Sequence, residues 1–345
     1  MRDVATEAGV SPMTVSNTLT GRRPVSEETR RRVLETVDRL GYRVNVAARS
    51  LRQGRTGVVG IAVPGLDSHY FGQLSHRLVL ALAGAGLATV VEETGASRSG
   101  ELAVFRDSRR NAYDGLVIAA LRLSERDLRA LSGDVPVVVL GEQDLHGSVD
   151  QISMANVEGA AAAARLLLAR GCRRLAVVGG VLPGAPGAEE VPESFAVRTG
   201  GFLRAVRRSR GAVTAATYRG DLQDAGVRGV HDLLAAGEPP EGIFCVTDTL
   251  ALGVLRGLAD HGLRVPEDVL VIGFDDVDDA RFSVPSLTTV DPGHEEIARE
   301  TVRLLVRRTA DRDAAPERLT APWRLVERES TARPGTAPRR PRRRP

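Results

Sequence analysis

The sequence predicts an α/β protein. An N-terminal three-helix helix-turn-helix head and a hinge helix precede a two-lobed body of doubly wound parallel sheets. Three observations predict this. Residues 3–19 read as two short helices around a tight turn, a basic stretch follows them, and from Thr56 apolar runs alternate with amphipathic ones in two successive series.

In DVATEAGVSPMTVSNTL (3–19), Val4, Ala5 and Ala8 share one face of a first helix. Gly9 supplies a turn that a side chain resists. Ser11 before Pro12 marks a helix start, a capping hydroxyl followed by proline at the first helical position. Val15 and Leu19, one turn apart, fold the second helix onto the first. Such a pair is either a plain helical hairpin or a helix-turn-helix whose second helix lies in a DNA major groove. Ser26 caps a third helix with Glu27 and Glu28 in its first turn, Val33, Val37 and Leu40 on one face, and Gly41 at its end. Arg30, Arg31 and Arg32 lie on its outer face, as a solvated charge run or as phosphate contacts.

The net charge of +3 conceals an uneven distribution. Residues 1–55 carry eleven Arg against six acids, and 333–345 carry six Arg and no acid, which leaves 56–332 at −8. A basic head on an acidic body is the footprint of a chain that meets nucleic acid at one end. There is no signal-peptide core and no run of 18 apolar residues, so a cytoplasmic protein without a membrane partner is expected. Cys172 and Cys245 sit in apolar surroundings and read as reduced thiols.

Three blocks in order, DVATEAGVSPMTVSNTLTG, VSEETRRRVLETVDRLGY and NVAARSLR, resemble the head of the lactose-repressor (LacI/GalR) type of bacterial transcription regulator. The resemblance runs to about Ser330 and implies a DNA-binding repressor. It places Pro12, Met13 and Asn17 at base edges, and Ser11, Thr14 and Ser16 near phosphates. For Pro12 and Met13, plain surface packing is an equal alternative. The family more often has arginine at the position of Asn17; asparagine suits adenine where arginine reads guanine. Only Met1 and Arg2 precede Asp3, where the family has a capping arm, so either the arm is absent or the true start lies upstream.

Asn45 caps a short hinge helix with Ala47, Ala48 and Leu51 on one face. The resemblance makes Leu51 the wedge that two paired hinges drive into the minor groove. Val44 replaces the usual proline. The expected partition is 1–43 head, 44–55 hinge, 56–155 with 291–313 first lobe, 156–290 with 317–330 second lobe, and 331–345 a disordered basic tail.

In the body, strands are expected at 58–63, 88–92, 115–120 and 136–141, then at 174–180, 215–218, 242–246 and 270–274. Helices are expected at 70–85, 124–131, 157–170, 194–209, 221–236 and 248–261. Near-continuous apolar strands separated by helices mean parallel sheets covered on both faces, with ligands at the strand C-terminal ends between lobes. The resemblance adds a periplasmic-binding-protein-like architecture with three crossings, near 155, 290 and 316. It also implies an effector cleft: Tyr70 and Phe71 as an aromatic pair, Arg198 gripping ligand oxygens and Asp275 accepting from hydroxyls. Arg198 and Asp275 as an inter-lobe salt bridge is the alternative. Asp248 reads as the cap of its helix, with Thr247 nearer the ligand. Leu222 stands where the family often stacks an aromatic on the ligand, and Ala155 removes a potential polar contact.

No enzymatic signature is present. HEEIA (294–298) lacks a second histidine, no G-x-G-x-x-G or G-x-S-x-G occurs, and the six histidines show no metal spacing, so neither a cofactor nor a metal is expected. The expected partners are a double-stranded DNA operator read by a homodimer and a sugar-like small-molecule effector. The competing reading is a two-lobed solute-binding protein of a transport system, against which the basic head argues. A nucleotide-dependent enzyme is a third, without a phosphate loop to support it.

Overall fold

The computed structural model describes residues 1–20, 23–42, 55–131, 135–143, 145, 147, 149–180, 193–208, 212–216 and 222–332. It divides into two compact units, Met1–Gly57 and Val58–Pro345.

In the first unit, α1 (Arg2–Glu7), α2 (Pro12–Thr20) and α3 (Glu27–Arg39) enclose Val4, Ala5, Ala8, Val15 and Val33. The α1 start at Met1 has no side-chain cap. Gly9 adopts φ +61°, which lets the chain reverse between α1 and α2. Ser11 Oγ accepts from the Thr14 amide at 3.0 Å, and Ser26 Oγ from the Thr29 amide at 3.3 Å, so both serines cap the helices they precede. The core differs at one point from the expected apolar face. Leu40 is exposed because it stands at the C-cap, past the last helical residue, and the half-buried Tyr42 packs on the core in its place.

The second unit contains two parallel sheets. The first joins β1 (Val58–Val63), β2 (Ala88–Glu93), β3 (Gly115–Ala119), β4 (Val137–Leu140), β5 (Asp150–Ser153) and β11 (Arg318–Thr320), in the order β11-β5-β4-β3-β1-β2. The second joins β6 (Arg174–Val178), β7 (Ala212–Ala216), β8 (Gly242–Cys245) and β9 (Leu270–Ile272), in the order β7-β6-β8-β9. A small antiparallel pair, β10 (Thr289–Asp291) and β12 (Arg324–Val326), completes the strands. Central strands β3, β4 and β8 are buried along their whole length, as a sheet covered on both faces requires.

The helices are α4 (His69–Gly84), α5 (Arg98–Arg110), α6 (Glu125–Leu131), α7 (Asn156–Ala169), α8 (Glu193–Arg207), α9 (Leu222–Ala235), α10 (Asp248–Asp260) and α11 (His294–Ala310). The α9–α10 pair packs almost backbone to backbone: a Cβ on Gly253 would lie 2.1 Å from the Gln223 carbonyl oxygen. Helix α11 packs on α4 and the first sheet.

Three differences from the expected elements have physical reasons. Strand β7 is described over 212–216, in parallel register with 174–178, and so begins three residues before the expected 215–218, of which 217 and 218 lie outside the described residues. Helix α5 buries Val104 and Phe105 on one face but is otherwise mostly charged and polar, and strand β5 (DQIS) has a single apolar residue, so neither shows the apolar content that marks the others. Residues 318–320 do not belong with the second lobe: β11 pairs in parallel with β5, so the third crossing falls after Thr320, not near 316. That pairing is locked by Asp150, fully buried, which accepts from Arg307 and Arg308 at 2.8 Å each and from the Glu317 amide at 2.8 Å.

Candidate DNA-reading helix and effector cleft

Val15 and Thr18 turn α2 toward the head's core. That leaves Ser11, Pro12 and Met13 exposed at its leading end, with Met13 at 70% exposure, and Thr14, Ser16 and Asn17 half-buried beside them. A methionine so open contributes little to the head's own packing. The hydroxyls of Ser11 and Thr14 share a 2.9 Å hydrogen bond at the first turn. Arg30, Arg31 and Arg32 are exposed on α3. Asn45, Ala48 and Leu51 of the expected hinge lie outside the described residues, as does the tail from 333.

In the body, α8 carries Arg198 into the protein at 3% exposure, where every nitrogen of its guanidinium is engaged. Nε donates to Asn156 Oδ1 at 2.7 Å, Nη1 to the Val246 carbonyl at 2.6 Å, and Nη2 approaches the Met154 sulfur at 3.3 Å. Nη1 also lies 3.0 Å from Asp275 Oδ1, and the guanidinium covers the Phe274 ring at 3.7 Å. Arg198 and Asp275 are therefore ion-paired, and both belong to the elements around the second sheet rather than to opposite lobes.

Asp275 sits at φ +120°, a conformation that residues with a side chain rarely hold, and Asp276 follows at φ +48°. Its amide donates to the Val290 carbonyl at 2.9 Å, and its carbonyl accepts from His294 Nε2 at 2.5 Å. Burial raises its carboxyl to about 6 against the opposing pull of Arg198. A carbonyl only accepts, so His294 carries its proton on Nε2. Burial lowers the ring's pKa and keeps it neutral, and Nδ1 has no hydrogen-bond partner.

Tyr70 reaches this group from the first lobe. Burial raises its pKa, and the charges of Asp275, Arg198 and Glu142 bear on its phenol. It stacks edge-on with Phe71 at 5.0 Å and lies 5.4 Å from His294. The helix cap falls to Thr247 rather than to Asp248. Thr247 Oγ1 caps α10 by accepting from the Leu250 amide at 3.3 Å. Asp248 is fully buried instead, accepting from the Thr289 hydroxyl at 2.5 Å and the Val277 amide at 2.9 Å. Burial, with Asp275 nearby, lifts its pKa to about 8. Leu222 opens α9 half-buried against the hydrophobic core.

Glu142, Asn156 and His294 belong to the same group and escaped the sequence reading. Glu142 follows β4 at its C-terminal end, accepts from the Met154 amide at 2.9 Å, and has its pKa raised by burial. Its place at a strand end is the signal that could have found it. A cavity of about 610 Å³ lies beside this cluster at the segments that join the lobes, lined by His294, Asp276, Asp291, Trp323 and Arg328 among others. None of the six expected effector residues lines it.

The first 45 residues match the model described as bacterial regulatory proteins, lacI family, and residues 164–331 match the periplasmic binding protein-like domain. Catabolite control protein A of Priestia megaterium is 30% identical over 333 residues, covering 95% of this chain and 98% of that protein. The chain belongs to the lacI family. A second family member, the HTH-type transcriptional repressor PurR of Escherichia coli, is 28% identical over 337 residues, 96% of each chain. A solved LacI-family regulator from Sanguibacter keddieii superposes with TM-score 0.70 at 40% identity, covering 80% of this chain and 99% of that one. These relatives are regulators rather than enzymes. In this LacI-family chain no described helix is long and apolar enough to cross a membrane, and no metal-ligating cluster occurs among the described residues.

Proposed function

We propose that this LacI-family protein is a cytoplasmic repressor that binds a pseudo-palindromic operator as a homodimer and releases or tightens its grip when a small polyhydroxylated effector enters the inter-lobe cleft. The observation that carries the reading is the exposed leading end of α2, where Ser11, Pro12 and Met13 stand free of the head's own packing. Base edges are read by Pro12, Met13 and Asn17, and phosphates are met by Ser11, Thr14 and Ser16. The hinge residues Asn45, Ala48 and Leu51 widen the minor groove when two copies pair.

The effector site is the buried group around Arg198 and Asp275, with Tyr70, Phe71 and Thr247 at its edge. The Arg198 fork and the Asp275 carboxylate hold each other in the free protein, and vicinal hydroxyls suit them by taking over those bonds. Leu222 offers no ring, so recognition there rests on hydrogen bonds rather than stacking. Dimerisation is supported by the first lobe's edge. Strand β2 is a sheet edge with Val90 exposed, and α4, which packs on it, exposes Leu80. Footprinting the full chain on DNA upstream of its own gene tests the reading. Protection of a two-fold symmetric site is expected, and binding indifferent to sequence would end it.

A further inference from the structure

We propose that the 610 Å³ cavity at the segments joining the lobes is a second ligand site, separate from the Arg198–Asp275 cleft, and that it takes an uncharged saccharide of one or two rings. Its size falls within the range of small-molecule pockets. Its walls come from both lobes and from the connections between them. Arg77 belongs to α4 and Asp276 follows β9, while Asp291 and Trp323 flank the crossings. A molecule seated there touches both lobes and two of the connections between them, so a difference in its contacts between lobe arrangements would favour one of them.

The lining chemistry selects the ligand. Trp323, the chain's single tryptophan, is half-buried and offers the broad ring face that the cleft lacks at Leu222. The four lining arginines each have a carboxylate of the same wall as partner. Arg328 lies 2.6 Å from Asp276, Arg324 2.9 Å from Asp291, Arg77 3.0 Å from Glu295 and Arg281 3.2 Å from Asp278. Glu296 adds a further acid, so the wall holds one more carboxylate than guanidinium. Such a wall disfavours phosphates and carboxylates and presents paired donors and acceptors to hydroxyl groups. His294, 5% exposed, lines the cavity with its Nδ1 lacking a partner in the protein, an acceptor that a ligand hydroxyl satisfies. Because the same ring holds the Asp275 carbonyl, the second site shares a wall with the cleft.

The experiment is a titration of the full chain with neutral pentoses, hexoses and disaccharides, ribose and cellobiose among them, and with glucose 6-phosphate. Tryptophan emission is the readout, since only Trp323 reports. A saturable change is expected with a neutral sugar, in the wild type and in Asp275→Asn, a substitution that disables the cleft. Calorimetry with that sugar should show at least a tenfold loss of affinity in Trp323→Ala and near-retention in Trp323→Phe, which keeps an aromatic face. A response that vanishes in Asp275→Asn means that Trp323 merely senses the cleft, and overturns the second site while leaving the cleft reading intact. No response to any neutral sugar, or preference for the phosphorylated one, overturns it as well.

Discussion

Arg198→Ala tests the most heavily engaged side chain of the cleft. The substitution removes a 3.0 Å ion pair, hydrogen bonds to Asn156 and to the Val246 carbonyl, and the cover over Phe274, all at a site almost closed to water. Truncating one member of a buried ion pair costs about 3–5 kcal/mol, because the other charge is left without compensation. Asp275 limits that cost. Its carboxyl already titrates at about 6 with the arginine beside it, and without the arginine it rises further and takes up a proton near neutrality. The destabilisation should therefore be larger at pH 8 than at pH 5. Arg198→Ala combined with Asp275→Asn should be less destabilised at pH 8 than the two single losses summed, because no charge is then stranded. Urea unfolding followed by circular dichroism at the two pH values measures each term. A loss below about 1 kcal/mol for Arg198→Ala, or strict additivity at pH 8, would show that the two groups are not paired in the free protein.

Three further outcomes follow from other residues. The folded pKa of Asp248, about 8, lies above the 3.8 of an ordinary aspartate, so the unfolded chain gives up this proton first. The wild-type body then loses about 1.4 kcal/mol of stability per pH unit between roughly 4 and 8 on this account, and Asp248→Asn should flatten that slope in urea midpoints; an unchanged slope refutes the assignment. Ser11→Ala removes the cap of α2 and should lower the head's stability by about 1 kcal/mol, read by thermal melting of the full chain. Met13→Ala should leave that melting unchanged and alter operator discrimination at one base pair in a gel-shift series, whereas equal loss on every sequence would assign Met13 to packing.

The sequence made the helix starts legible because their chemistry is local. Ser11 before Pro12 and Ser26 before two glutamates announce themselves within four residues, and both serines make those capping bonds. The apolar strands were equally open to reading, since burial on both faces leaves a continuous run of Val, Ile and Leu. What stayed hidden depends on distant partners. Asp150 opens a four-residue strand that no apolar pattern marks, and its meaning lies in Arg307 and Arg308, far along the chain. Thr247 and Asp248 are both competent caps, and the choice falls to Thr247 because Thr289 and the Val277 amide claim the carboxylate. His294 lies in a stretch that local pattern marks only as a failed zinc motif; its bond to the Asp275 carbonyl exists only in the folded chain.

The most direct test of the account is operator affinity of the full chain at fixed salt, measured with and without a sugar that binds the wild type but not Asp275→Asn. A change of tenfold or more on a symmetric site, absent on scrambled DNA and absent in Asp275→Asn, is the predicted result. Equal affinity for both duplexes, or an operator affinity that ignores the bound sugar, contradicts it.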